Sequence, residues 1–173
     1  MGVTAIMRGI MAMDAKLEIW SGGQTGVDRA ALDVARELGF AIGGWIPRGR
    51  LAEDGEVPPR YAELREADSP EYAIRTELNV RDTDATLVLR WGPASGGTLE
   101  TIAAARRFGR ALYELDLATA EPQAGGQAVA RWLTGLGTLR RLNVAGPRAS
   151  HAPEVCERAH AVLRRALLET ARR

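Results

Sequence analysis

Apolar and polar positions follow two rhythms along the chain, short β-branched runs and longer stretches of helical spacing, with glycine, proline, Asn or Asp at most of the joints. That alternation predicts an α/β fold. Leu17 to Ser21 reads as the first strand. Val27, Ala30, Ala31, Val34, Ala35 and Leu38 then recur at i, i+3, i+4, i+7 as the inner face of a helix that Gly39 stops. Phe40 to Ile46 reads as a short second strand, and the polar loop from Pro47 to Pro59 is long for a connector, which marks it as functional. Ser69, Pro70 and Glu71 read as the N-cap, first-turn proline and first-turn carboxylate of a helix reaching Val80.

The clearest strand is Ala85 to Trp91, whose centre Leu87-Val88-Leu89 is the continuous apolar run of a strand buried on both faces of a parallel sheet. A glycine loop leads to a helix from Thr98 to Phe108 with Leu99, Ile102 and Ala103 inward, and Ala111 to Leu117 is the next strand. Glu121 to Gly126 reads as a flexible connector, followed by an amphipathic helix with Ala128, Val129, Trp132, Leu133 and Leu136. Arg140 to Ala145 closes the strands, and a last helix from Pro153 sets Val155, Ala159, Val162, Leu163, Ala166 and Leu167 on one side. The expectation is one small doubly wound α/β domain, a mostly parallel sheet with helices on both faces.

A length of 173 residues fits one domain, over residues 16–173, after a loose leader of residues 1–15 whose apolar stretch is interrupted by Arg8. Hydrophobic residues at 46% and charged residues at 26% exclude disorder for most of the chain, and a net charge of +1 supplies no footprint for nucleic acid. The single cysteine, Cys156, excludes an internal disulfide framework and a zinc site built from several thiolates, so no structural metal is expected and the compartment reads as reducing. No apolar run approaches the roughly 18 residues of a membrane span. A cytoplasmic protein without membrane partners is the expectation.

Glycine-containing turns follow three strands: Ser21-Gly22-Gly23-Gln24-Thr25-Gly26, Gly92 to Thr98, and Gly146-Pro147-Arg148. In a parallel sheet all three lie along the carboxyl edge, where ligands bind. Gly22, Gly23 and Gly26 let the backbone turn tightly and approach a phosphate at a helix start, with Thr25 adding a hydroxyl, or else simply pack helix on strand. Gly96, Gly97 and Thr98, with Ser95, repeat that chemistry. There is no G-x-x-x-x-G-K-[ST] and no G-x-G-x-x-G, so one phosphate or a diphosphate is a more natural guest than a triphosphate. Arg48 and Arg50 either cover the crevice and grip an anion or form an exposed basic loop, and Arg148 is a further anion candidate. Trp45 and Trp91 stack on a flat heterocycle or pack in the core. Asp28, Glu53, Asp54, Glu77 and Glu100 are the available acids, with Asp28 equally placed to favour a helix dipole, whereas His151 and His160 sit in no motif.

Four stretches together resemble the molybdenum carrier proteins, a circularly permuted YpsA-like branch of the SLOG superfamily. They are Ser21 to Asp33; Gly44 to Arg50 with Ala52 to Gly55; Arg75 to Ala85; and Gly96-Gly97-Thr98 with Asn143 to Arg148. The resemblance implies a Rossmann-like domain, a homo-oligomer such as a dimer or tetramer, and a phosphate-bearing small molecule as ligand, with molybdenum cofactor the named candidate and molybdoenzymes its recipients. It adds Gln24, Arg75, Thr76 and Asn79 to the residues expected at the ligand. Related phosphoribohydrolases carry P-G-G-x-G-T-x-x-E, and here Thr101 takes the place of that glutamate while Glu100 falls one residue early, about 100° around the helix. Hydrolysis of a nucleotide through Glu100 or Asp28 is the alternative activity, and an assembly protein with vestigial loops is the other.

Overall fold

The computed structural model describes residues 17–172; the expected leader lies outside them. In chain order the first half contains β1 (Glu18–Trp20), α1 (Val27–Glu37), β2 (Ala41–Gly43), β3 (Trp45–Ile46), β4 (Leu51–Ala52), β5 (Gly55–Glu56), β6 (Arg65–Glu66) and α2 (Tyr72–Arg81). The second half contains β7 (Ala85–Arg90), α3 (Gly96–Arg107), β8 (Ala111–Asp116), α4 (Pro122–Gly135), β9 (Arg141–Ala145), a 3-10 turn (Ala149–His151) and α5 (Val155–Thr170). No described helix is long and apolar enough to cross a membrane.

Five strands form one parallel sheet in the order β2-β1-β9-β7-β8. The apolar run read in β7 is buried from Ala85 to Leu89, as a strand flanked on both edges must be. Ile19 of β1 stands in register with Ile42 on one side and Leu142 on the other, so each neighbour adds to one continuous apolar layer. Side chains of α1, α4 and α5 close the large core over one face, with Val34, Val129 and Leu163 all buried. Val80 of α2 and Ala104 and Ala105 of α3 form a smaller core with Phe108 and Leu112 packed against it. This is a single Rossmann-like domain.

The chain leaves β7 towards β8 through α3, then returns past β7 to β9 through α4. Counted from β7, the sheet order reads 2-1-3-4-5, the doubly wound order with its topological switch point between the first and third strands, here β7 and β9. Loops leaving those two strands diverge, and a crevice opens between their carboxyl ends.

Several elements differ from the sequence reading. The strand expected over Phe40 to Ile46 breaks at Gly44, whose φ of 134° lets the chain leave the main sheet; a Cβ there would strike the Ser21 carbonyl oxygen. Beyond the break β3 pairs with β6 in a sheet of two strands, and the Pro47 to Pro59 loop contains the antiparallel pair β4 and β5. Ser69 does not cap α2: its Oγ accepts from the Glu71 N–H at 3.1 Å, and Glu71 becomes the N-cap. The expected connector Glu121 to Gly126 is mostly the start of α4. Gly125 and Gly126 are kept in a helix, at a cost of about 1 kcal/mol each relative to alanine, by close packing. A Cβ on Gly126 would lie 2.5 Å from the Arg165 Cβ on α5. On α3 the inward face is Thr98, Thr101, Ile102, Ala104 and Ala105, whereas Leu99 is 54% exposed.

Candidate functional site

The crevice at the switch point is a cavity of about 430 Å³, within the size range of small-molecule sites. Its walls come from the loop after β7 (Trp91 to Thr98), the loop and 3-10 turn after β9, the start of α1 and the α2 residues Arg75 and Thr76. The two glycine turns expected to serve the ligand enter it in opposite ways.

The first turn faces the protein. A Cβ on Gly22 would collide with the Arg75 guanidinium, one on Gly26 with the Pro147 carbonyl oxygen, and one on Gly23 would press within 3.0 to 3.2 Å of Ile46, Leu64 and Val57. Gly23 and Gly26 also hold φ of 70° and 83°, which only glycine adopts freely. Of residues 22–26 only Gln24 lines the cavity. Its Oε1 accepts from the N–H groups of Thr25 at 3.1 Å and Glu53 at 2.9 Å, which fixes the amide, and its Nε2 is buried with no acceptor. Thr25 Oγ1 accepts from the Ala149 N–H at 3.1 Å and donates to Glu53.

The second turn faces outward. Nothing lies within 4 Å of a Cβ built on Gly96 or Gly97, and both residues line the cavity with Ser95 and Thr98. Ser95 is the N-cap of α3 and its carbonyl accepts from the Thr98 N–H at 3.2 Å, so the N–H groups of Gly96 and Gly97, both lining the cavity, are those left without an acceptor inside the helix. The helix dipole adds partial positive charge at the same place.

Charge converges from the other walls. Asp28, 2% exposed, accepts from the Gln24 N–H at 3.2 Å and pairs with Arg75 at 3.4 Å. Burial raises the Asp28 carboxyl above its ordinary range, against the pull of Arg75 and the hydrogen bond from the Gln24 N–H. Arg148 lines the cavity 3.8 Å from Glu53, and Arg75 and Arg148 both approach the Tyr72 ring, each guanidinium 5.7 Å from its centroid. Glu53 clasps the wall behind them, accepting from the Ser150 N–H and hydroxyl at 3.2 and 2.5 Å as well as from Thr25. Partial burial works to raise the Glu53 carboxyl, but those hydrogen bonds and Arg148 together hold it below its ordinary value. Asp54, paired with Arg29 at 2.6 Å, fastens the same hairpin to α1.

Other residues expected at the ligand stand elsewhere. Arg50 donates to the carbonyls of Val57, Pro58 and Tyr61, and Arg48 to the Asp68 carbonyl; neither lines the cavity. Asn79 spends its amide on the Trp45 main chain, accepting from its N–H and donating to its carbonyl, both at 2.8 Å, so it acts as a strand partner for β3. Trp45 donates to Asp82 at 2.9 Å and is absent from the cavity, whereas Trp91 is in its wall. Glu100 is exposed outside it, and Thr101 lines it while donating to the Gly97 carbonyl at 2.9 Å. Sequence reasoning missed Tyr72, Arg90 and Ser150. Tyr72 and Ser150 belong to no motif, and Arg90 carries no mark beyond its place at the end of a strand.

A parallel sheet whose strand order is doubly wound, with a polar cavity and a helix N-terminus at its switch point, defines a Rossmann-like domain with a candidate ligand cavity. The chain belongs to the circularly permutated YpsA SLOG family, whose model matches residues 19–167. A crystal structure of the "Putative molybdenum carrier protein" from Syntrophus aciditrophicus SB is similar at 38% identity and a TM-score of 0.83, covering 88% of this chain and 95% of that one. A structure of (E)-4-hydroxy-3-methyl-but-2-enyl diphosphate reductase aligns only distantly, at 10% identity and a TM-score of 0.34 over 92% of this chain and 64% of that one. No curated protein sequence matches. Among the described residues no group of three or more His, Cys, Asp or Glu side chains is placed to hold a metal ion.

Proposed function

We propose that the protein binds a phosphorylated small molecule in the switch-point cavity and carries it without turning it over, molybdenum cofactor being the candidate cargo. The observation that supports this reading is the open space over Gly96 and Gly97 at the start of α3, facing Arg75 and Arg148 in one cavity. A terminal phosphate seats on the α3 amides with Thr98 and Ser95, and the arginines and Gln24 meet the oxygens of the remainder. Molybdenum cofactor, a pterin with a terminal phosphate and an oxomolybdenum group, suits such a donor set, and Trp91 offers an aromatic wall to its ring system. In this reading the carrier works in the cytoplasm as a homo-oligomer and hands its cargo to molybdoenzymes. Hydrolysis of a nucleotide has less support, because Glu100 lies outside the cavity with Thr101 in the wall, and Asp28, which does line it, is engaged by Arg75 and the Gln24 N–H.

Mass spectrometry of small molecules released from protein purified without added ligand tests the identity of the cargo, with a molybdopterin species expected. Saturating molybdenum cofactor should also raise the melting temperature, since a ligand specific to the folded state stabilises it. Absence of any shift, together with steady release of base from AMP, would reverse the reading.

A further inference from the structure

The Asp28–Arg75 pair in the cavity wall has a loose contact and a firm setting. Arg75 Nη1 stands 3.4 Å from Asp28 Oδ2, the two side chains are only 13% and 3% exposed, and Arg75 Nε is buried without an acceptor. The guanidinium lies on the bare Cα of Gly22 and beside the Tyr72 ring, so packing as well as charge sets its position. Both residues border the cavity. An anion entering there meets a cation whose counter-ion is already a buried carboxylate, and one guanidinium cannot compensate both. The group that loses its partner is then driven by desolvation towards its neutral form.

We propose that ligand binding in this cavity is proton-coupled: an oxyanion of the ligand replaces Asp28 as the counter-ion of Arg75, and the displaced carboxylate takes up one proton from solvent. This rests on the cavity being the ligand site, and it adds to the α3 N-terminus a second anion subsite. The class of ligand it implies carries two anionic groups. The burial that raises the Asp28 carboxyl favours the exchange.

Other charged groups around Asp28 have partners of their own. Arg29, on the same helix, is held by the Gly23 carbonyl and Asp54; Arg90 by the Gly92 carbonyl and Asp116; Arg148 by Glu53. Ser21 and Gln24 carry no charge. His151, exposed in the same cavity, is the remaining ionisable lining side chain and has no charged partner among the described residues, so the test controls for it. The coupling also provides a route to release, because any contact that admits water to Asp28 and ionises it expels the anion from Arg75.

Sulfate is the probe, because its charge stays constant over the range tested. Calorimetry between about pH 5 and pH 8, in two buffers of different ionisation enthalpy, counts the protons taken up per sulfate bound. Wild-type protein should take up as much as one proton per sulfate, with affinity falling by up to about tenfold per pH unit wherever that uptake occurs. Asp28→Asn should show no uptake, a flat profile and tighter binding than wild type at the upper end of the range, and His151→Gln should keep the wild-type proton count. Sulfate binding to Gly97→Val protein, whose α3 subsite is blocked, with no proton uptake, or a pH dependence that survives Asp28→Asn and disappears in His151→Gln, would overturn the coupling and leave the cavity reading intact. Failure of wild-type protein to bind sulfate and phosphate at all would overturn both. If Asp28→Asn does not fold, the proton count of His151→Gln decides: uptake that persists there supports the coupling, and uptake that is lost there overturns it.

Discussion

The turns at Gly22 to Gly26 and at Gly96 to Gly97 look alike in the sequence, two glycine clusters that each follow a strand and open a helix, yet they do opposite things with the space a side chain would fill. Around the first turn that space holds the Arg75 guanidinium, the Pro147 carbonyl and the apolar side chains of Ile46, Leu64 and Val57. Over the second it is empty and belongs to the cavity. A glycine needed for packing and a glycine needed for a ligand therefore differ only in what stands opposite.

Substitutions should separate the two turns. Gly26→Val puts a branched side chain into the Pro147 carbonyl at a φ of 83°, and overpacking with backbone strain should cost about 3 kcal/mol or more, read by chemical denaturation as a large fall in midpoint or as failure to fold. Gly97→Val should fold with stability within about 0.5 kcal/mol of wild type, since nothing surrounds its Cβ. Its affinity for a phosphorylated ligand should fall at least about tenfold, or about 1.4 kcal/mol. A Gly97→Val protein that folds and binds as wild type does would remove the second turn from the site.

The clasp behind the first turn gives a smaller effect with a pH signature. The Glu53 carboxyl is held below its ordinary value of 4.5 in the folded chain, so its contribution is complete above that value and is lost as pH falls through the lower folded one. Glu53→Gln should cost about 1 kcal/mol near neutrality, from weakened hydrogen bonds to Ser150 and Thr25, and the difference should shrink in denaturation curves taken below about pH 4. The smallest effect belongs to Glu100→Gln. Because Glu100 is exposed and outside the cavity, this change should leave stability and ligand binding where they were, and loss of ligand binding in the variant would put Glu100 at the ligand.

Much of the scaffold was legible because burial writes periodicity into a sequence. Leu87-Val88-Leu89 marked a central strand, and Val27, Ala30, Ala31 and Val34 marked the buried face of α1, which packs over β1, β2 and β9. Errors came where packing overrode local preference. Gly125 and Gly126 look like a connector and are helical because α5 passes too close for a side chain, and Gly44 divides an apolar run because the Ser21 carbonyl stands over it. The site was legible to a lesser degree. Gln24, Arg75, Thr76 and the Ser95 to Thr98 turn meet in one cavity, but Arg48, Arg50 and Asn79, equally polar and equally near a motif, are bound to main-chain groups elsewhere.

The sequence by itself determined the alternation of strands and helices, the parallel sheet and the placing of glycine turns at strand ends, because these follow from local spacing and local backbone freedom. Only the tertiary structure decided that β9 inserts between β1 and β7, since strand order depends on contacts among segments far apart in the chain. The same distant contacts decided which glycines face the protein and which face the cavity, and they brought Arg75 from α2 onto Gly22 beside Asp28. Such meetings leave no periodic trace, because their physical cause is the shape and charge of whatever the fold sets opposite.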